Sequence, residues 1–278
     1  MKISSIDAGR FKLDGGAMFG VVPKVMWNKL NPADENNLCS WALRCLLIEE
    51  GNQLVLIDTG LGDKQDEKFF SHYYLHGDGN LIDSIRKAGY HESEVTDVVH
   101  THLHFDHCGG SIRRKGEGFE KTFSNARYWV DEKHWNWGIV PNARERASFL
   151  KENLLPMQEL GNFHFLPTDG SSPFDWMQLF HCYGHTEAMV LPVIESEKGK
   201  LVFVADLFPS THHVPMPYIM GYDMRPLETL ADKGRFFKRA LDENWTLFFE
   251  HDGQTECARL EMGEKGVRVS ERFEFSNF

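Results

Sequence analysis

The chain is poor in features that would give it a simple label. It has five cysteines in 278 residues, an odd number, and no two stand in C-x-x-C spacing. Cys39, Cys45, Cys108, Cys182 and Cys257 therefore make no disulfide framework, and a reducing, cytoplasmic setting is expected. Basic charge is also scarce: 30 Lys and Arg face 41 Asp and Glu, a formal net charge of −11. Affinity for nucleic acid or an anionic membrane needs clustered positive charge. The short run Arg113-Arg114-Lys115 does not reverse the balance, so neither partner is expected. No apolar run reaches the roughly 18 residues of a membrane span, and the opening Met1-Lys2-Ile3-Ser4-Ser5-Ile6-Asp7 lacks the apolar stretch of a signal peptide. There is no repeat, low-complexity tract or linker, so a single domain over 1–278 is expected. What is present is a hydrophobic content of 41% with 13% aromatics, enough for a sizeable core.

Along the chain, residues 2–7 read as a strand, and Gly51-Asn52 joins strands 42–50 and 53–57 as a hairpin. The second runs into Asp58-Thr59-Gly60, and a carboxylate at the end of a buried strand is costly without a partner. A helix over 81–88, stopped by Gly89, precedes a strand at 95–99, and another strand follows at 126–130. Asn142 with Glu145 reads as a capping box that opens a helix of about 15 residues. Strands follow at 175–182, 188–195, 200–205, 245–250 and 267–275. The helix at 227–241 carries an apolar stripe that includes Gly234, read as a close approach to a sheet. Two packed sheets with outer helices would accommodate this α/β pattern. Residues 15–40 are irregular yet carry Met18, Phe19, Met26 and Trp27, and are expected to pack over something, either as plain core or as a loop over an active site.

The chemistry concentrates in His102-Leu103-His104-Phe105-Asp106-His107, three imidazoles and a carboxylate in H-x-H-x-D-H spacing directly after a strand. These are donors for zinc and similar borderline metals. Ligands are best held at the ends of rigid strands, and three more candidates sit there: His185, Asp206 and His251. Seven donors exceed one tetrahedral zinc and suit two ions about 3.5–4 Å apart, with Asp206 as bridge. Zinc is expected foremost, with manganese, iron or cobalt as alternatives. Starting the motif at His100 would put His104 where aspartate belongs, so His100 reads as packing. Cys108 reads as a small buried residue rather than a ligand. His212-His213 read as a surface loop or as a pocket edge.

With these residues in place, the chain resembles the metallo-β-lactamase superfamily. The matching positions are Asp58-Thr59-Gly60, His102 to His107, Gly184-His185-Thr186, Asp206 and His251, in the family's order. The resemblance implies an αββα four-layer sandwich with the metals at one edge of its sheets. It also implies His102, His104 and His185 on one metal, Asp106, His107 and His251 on the other, and Asp206 between them. Asp58 would orient a ligand histidine, and Asp106 would orient or relay a proton. Leu13 to Gly20 and the lead-in from Trp27 to Leu38 look like the branch of acyl-homoserine lactonases and methyl-parathion hydrolase. Those lactonases place a tyrosine three residues after the bridging aspartate, where this chain has Pro209. Flavodiiron relatives carry Glu where this chain has His104, which favours hydrolysis over redox chemistry.

The expected activity is thus a dinuclear hydrolase using a metal-bridging hydroxide on a small, hydrophobic ester, lactone or phosphotriester. A glyoxalase-II-like thioesterase and a non-hydrolytic or di-iron redox protein are the alternatives. Phe19, Met26, Trp27, Trp135, His212 and Tyr222 are the candidate substrate walls, and exposed aromatics in 15–40 would permit a homodimer.

Overall fold

The hairpin at Gly51-Asn52 organises the first half of the chain. Leu38–Glu50 pairs antiparallel with Gln53–Ile57, Leu46 facing Ile57 and Glu50 facing Gln53. The turn is tight, with Gly51 in the left-handed region at φ 58°. Gln53–Ile57 then pairs in parallel with Asp97–Val99, and that strand with Arg127–Asp131, bringing Ile57, Val99 and Trp129 into register. Parallel strands covered on both faces read as continuous apolar runs, and Leu54 to Ile57 and Val98 to Val99 are fully covered.

The computed structural model describes residues 1–278, which divide into two compact units. The first comprises Met1–Arg10 and Leu43–Pro173, the second Phe11–Ala42 and Phe174–Phe278. One six-stranded sheet runs Lys2–Asp14, Leu38–Glu50, Gln53–Ile57, Asp97–Val99, Arg127–Asp131 and Phe163–Leu166. The core of the first unit includes Leu47, Leu56, Ile85, Val98, Tyr128, Trp135 and Met157.

The second unit holds a sheet ordered Gly266–Phe273, Cys257–Gly263, Thr246–Phe248, Gly199–Phe203, Met189–Ser196 and Met177–Cys182. Its one parallel pair sets Phe203 beside Phe248. Asp206 and His251 each lie three residues past those paired positions, and His185 lies three past Cys182, the end of another strand. The helix Pro226–Asp242 starts on a proline at its first turn, which needs no N–H there. It buries Phe236 and Phe237, which meet Phe180, Phe208 and Trp245 at ring distances of 5.0–5.7 Å.

Several expectations change. The first strand extends to Asp14, and Cys257–Gly263 is a strand without a clear sequence signal. The helix Glu132–Ile139 was not anticipated; Asp131 caps it by accepting from Lys133 N at 2.8 Å. The helix expected from Asn142 begins only at Lys151. Asn142 does accept from Glu145 N at 3.1 Å, while the Glu145 carboxylate faces His104 and accepts from Trp137 Nε1 and Asn142 Nδ2. Gly234 touches nothing where a Cβ would stand, so its place on the helix is not a sheet contact. Within 15–40, Gly15–Phe19 and Lys24–Trp27 are short helical segments. No helix is long and apolar enough to cross a membrane.

Candidate metal centre

In the first unit, the donors leave the sheet where Val99 ends its strand. Asp58, just past Ile57, is wholly buried and sits in the left-handed region at φ 56°, a conformation that costs a non-glycine residue about 1–3 kcal/mol. Its partners are settled. Oδ1 accepts from Thr101 N at 2.8 Å, and Oδ2 accepts from Thr101 Oγ1 at 2.6 Å and faces His107 Nδ1 at 3.1 Å. Because the Thr101 hydroxyl donates to Asp58, it is left to accept from His102 Nδ1 at 3.0 Å. Leu103 N donates to His134 Nε2 at 2.7 Å, tying the motif to the helix Glu132–Ile139. Behind the motif, a Cβ on Gly109 or Gly110 would collide with the carbonyls of Leu61 or Thr59, so only glycine lets the chain turn there.

The result is an orientation of lone pairs. With Nδ1 of His102 and His107 donating outward, their Nε2 atoms are acceptors facing inward. His104 is reversed: its Nε2 lies 3.0 Å from Glu145 Oε1, and its Nδ1 lies 3.1 Å from His102 Nε2. Two nitrogen lone pairs that close repel unless a cation or proton stands beside them. Asp106 and His104 keep 8% and 6% exposure, whereas His102 and His107 keep none, so access is from the Asp106 side.

In the second unit, His185 is held by a relay. Its Nδ1 lies 2.9 Å from Asp223 Oδ1, and Thr229 Oγ1 donates to Asp223 Oδ2 at 2.7 Å. Asp232 Oδ2 accepts from Tyr183 N and Gly184 N at 2.7 and 2.9 Å, fixing the turn that carries His185. His251 Nδ1 donates to the Ala42 carbonyl at 2.8 Å, which can only accept. Asp206 spreads its oxygens between the two rings, Oδ2 at 3.1 Å from His185 Nε2 and Oδ1 at 3.3 Å from His251 Nε2. The residue before it, Ala205, is also left-handed at φ 40°, so the backbone is bent to deliver that carboxylate. Burial disfavours a charged His185, but Asp206 and Asp223 outweigh it and raise its pKa to about 10 in the metal-free protein.

The donor chemistry fits a metal. Five imidazoles each have one nitrogen held by an outer partner and the other facing inward, the arrangement of metal-bound histidines. The sequence profile of the metallo-beta-lactamase superfamily matches residues 44–251. The chain belongs to that superfamily. This metallo-β-lactamase-superfamily protein is 24% identical over 269 residues to an N-acyl homoserine lactonase of Bacillus cereus, across 92% of this chain and 94% of the relative. In structure it is similar to a metal-dependent hydrolase, described as probable, from Staphylococcus aureus, with TM-score 0.88, 26% identity, and 98% and 96% of the two chains covered. It is also similar to AidC, a dizinc quorum-quenching lactonase in complex with a product, with TM-score 0.80, 20% identity, and 98% and 95% covered. The mixed sheets and helices agree with the sandwich fold of the superfamily, and the chain is a metallohydrolase of that group.

Other candidates fall differently. Phe19 and Trp27 are buried and stacked at 5.4 Å, and Phe19 also stacks on His213 at 4.6 Å. Trp135 belongs to the core of the first unit. Trp135, like Phe19 and Trp27, is buried. Met26 is 50% exposed, and His212 and Tyr222 are half-buried. His213 is a packing residue that donates to the Met18 carbonyl at 2.9 Å, and burial pushes its pKa down to about 3. His100 contacts Ser111 Oγ at 3.1 Å and burial lowers it to about 4, as expected of packing. Cys108 Sγ donates to the Leu103 carbonyl at 3.4 Å, and burial pushes the thiol up to about 12. Thr101, His134, Glu145, Asp223 and Asp232 were not read as site residues in the sequence, although Thr101 and His134 lie just past the ends of strands Asp97–Val99 and Arg127–Asp131.

Proposed function

We propose that His102, His104, Asp106, His107, His185, Asp206 and His251 form one centre for two divalent ions, zinc foremost, and that the protein hydrolyses a lactone or related ester of a small apolar molecule. The observation that carries this reading is that each of the five rings has one nitrogen held by an outer partner, which leaves the other for a metal. Neither unit holds enough donors alone for two tetrahedral ions, and the superfamily match runs through all seven. On this reading residues 1–278 work as a single domain. When bound, the ions supply Lewis acidity and bring the pKa of water near about 7.

The chain does the rest. Asp206 directs its two oxygens to different rings, which suits a bridging carboxylate. Asp58 has its oxygens engaged by Thr101 and His107, so it holds His107 in one tautomer and does not reach substrate. Asp106 is the carboxylate of the first unit's set that reaches solvent, and takes the role of orienting water and passing a proton to the leaving oxygen. Lactones lead among substrates because N-acyl homoserine lactonases align over almost the whole chain. Pro209, in the place of the lactonase tyrosine, favours keeping aryl esters, thioesters and phosphotriesters beside them. We also place the protein in the cytoplasm, supported by five cysteines outside any disulfide, and allow a homodimer through exposed Val21, Val25 and Met26.

The test is a side-by-side assay of zinc-loaded protein on lactones, aryl esters, phosphotriesters and thioesters, with His104→Ala as control. Metal-dependent turnover lost in His104→Ala is expected. Retained turnover in a variant that has lost its metal refutes the reading.

A further inference from the structure

We propose that Glu145 is a positioning residue that forces His104 to offer Nδ1, not Nε2, to a metal. The inference rests on the reading above that His104 is a ligand. Four of the five rings present Nε2, with Nδ1 held outside by Thr101, Asp58, Asp223 or the Ala42 carbonyl. His104 alone is turned the other way, and Glu145 is what its outer nitrogen meets, at 3.0 Å.

Glu145 is itself built into place. It is 2% exposed, and its second oxygen accepts from Trp137 Nε1 at 2.6 Å and Asn142 Nδ2 at 3.2 Å. The same segment accepts from the motif backbone, Phe105 N to Ser148 O at 2.9 Å. A buried carboxylate is tolerated only where donors surround it, and here the donors are His104, Trp137 and Asn142. An ionised carboxylate only accepts, so the His104 proton must sit on Nε2 and its lone pair on Nδ1. Glutamine cannot replace it. Its single amide oxygen would serve either His104 or Trp137, and its NH2 group would face the other N–H.

The experiment uses the full chain with 15N-labelled histidine and the variants Glu145→Gln, Trp137→Phe and the Trp137→Phe/Glu145→Gln double. Nitrogen NMR of the metal-free proteins reads the His104 tautomer, and zinc titration reads affinity. Wild type and Trp137→Phe are expected to hold Nε2–H. Glu145→Gln is expected to lose it and to bind zinc about 10–100-fold more weakly at one site. In the double variant the amide oxygen is free to turn to His104, so the Nε2–H signal and about tenfold of the affinity return. A merely structural role would not produce this rescue, since the double removes more packing than the single. An unchanged His104 signal with unchanged affinity in Glu145→Gln, or a double no better than the single, overturns the role of Glu145 alone. If wild type takes up no zinc, the metal-centre reading fails and the inference with it.

Discussion

Lys233 lies wholly inside the second unit, on the helix Pro226–Asp242. Its ammonium has no carboxylate in contact; Nζ donates to the carbonyls of His213, Pro215 and Tyr218 at 2.6, 2.9 and 3.1 Å and pins that loop to the helix. Burial pushes its pKa from 10.5 down to about 7, against the weaker pull of Asp223. Between those two pH values the folded chain binds fewer protons at Lys233 than the unfolded chain, so stability from this group rises with pH. At about 1.4 kcal/mol per pKa unit, moving from pH 6.5 to 8.5 adds about 2 kcal/mol. Lys233→Met keeps the apolar stem and removes the titration. The stability of wild type minus that of Lys233→Met should therefore rise by about 2 kcal/mol over that range, or about 4–8 °C in Tm. Paired thermal and urea melts at the two pH values measure it. A difference that stays constant, or falls as pH rises, refutes the argument, because then Lys233 is charged in both states and the carbonyl cage is a full substitute for water.

Two further predictions concern the turn and the core. Gly184→Ala places a methyl against Thr229 Oγ1 and its backbone N, where no rotamer relieves it; a loss of about 1–3 kcal/mol is expected, with one zinc bound in place of two because His185 is displaced, as metal analysis would show. Trp135→Ala should cost about 3–5 kcal/mol by denaturant melt and leave the ranking of substrates unchanged, since the ring is core; a changed ranking with intact stability would restore Trp135 to the pocket.

The seven donors were legible because each lies just beyond an apolar strand or inside the dense H-x-H-x-D-H run, and strand periodicity is a local property of the chain. The hairpin at Gly51-Asn52 and the helix at 226–242 were legible for the same reason. Glu145 shows the limit. Its spacing from Asn142 matched a capping box, and Asn142 does accept from Glu145 N, but the carboxylate is drawn to His104 and Trp137, residues 41 and 8 positions away. Local spacing cannot register a stronger distant donor. Phe19, Trp27 and Trp135 make the same point for apolar residues: an aromatic outside a clear apolar periodicity has the same sequence whether it lines a pocket or stacks in a core.

The sequence by itself determined the candidate donor set, the superfamily and the strands that carry those residues, because residue type and strand ends are written locally. Only the tertiary structure decided which nitrogen of each histidine faces inward. That choice belongs to Thr101, Asp58, Glu145, Asp223 and the Ala42 carbonyl, and for four of the five rings the partner comes from a distant part of the chain. A ring nitrogen keeps its proton where folding brings an acceptor to it, and for those four rings no neighbour in sequence supplies that acceptor.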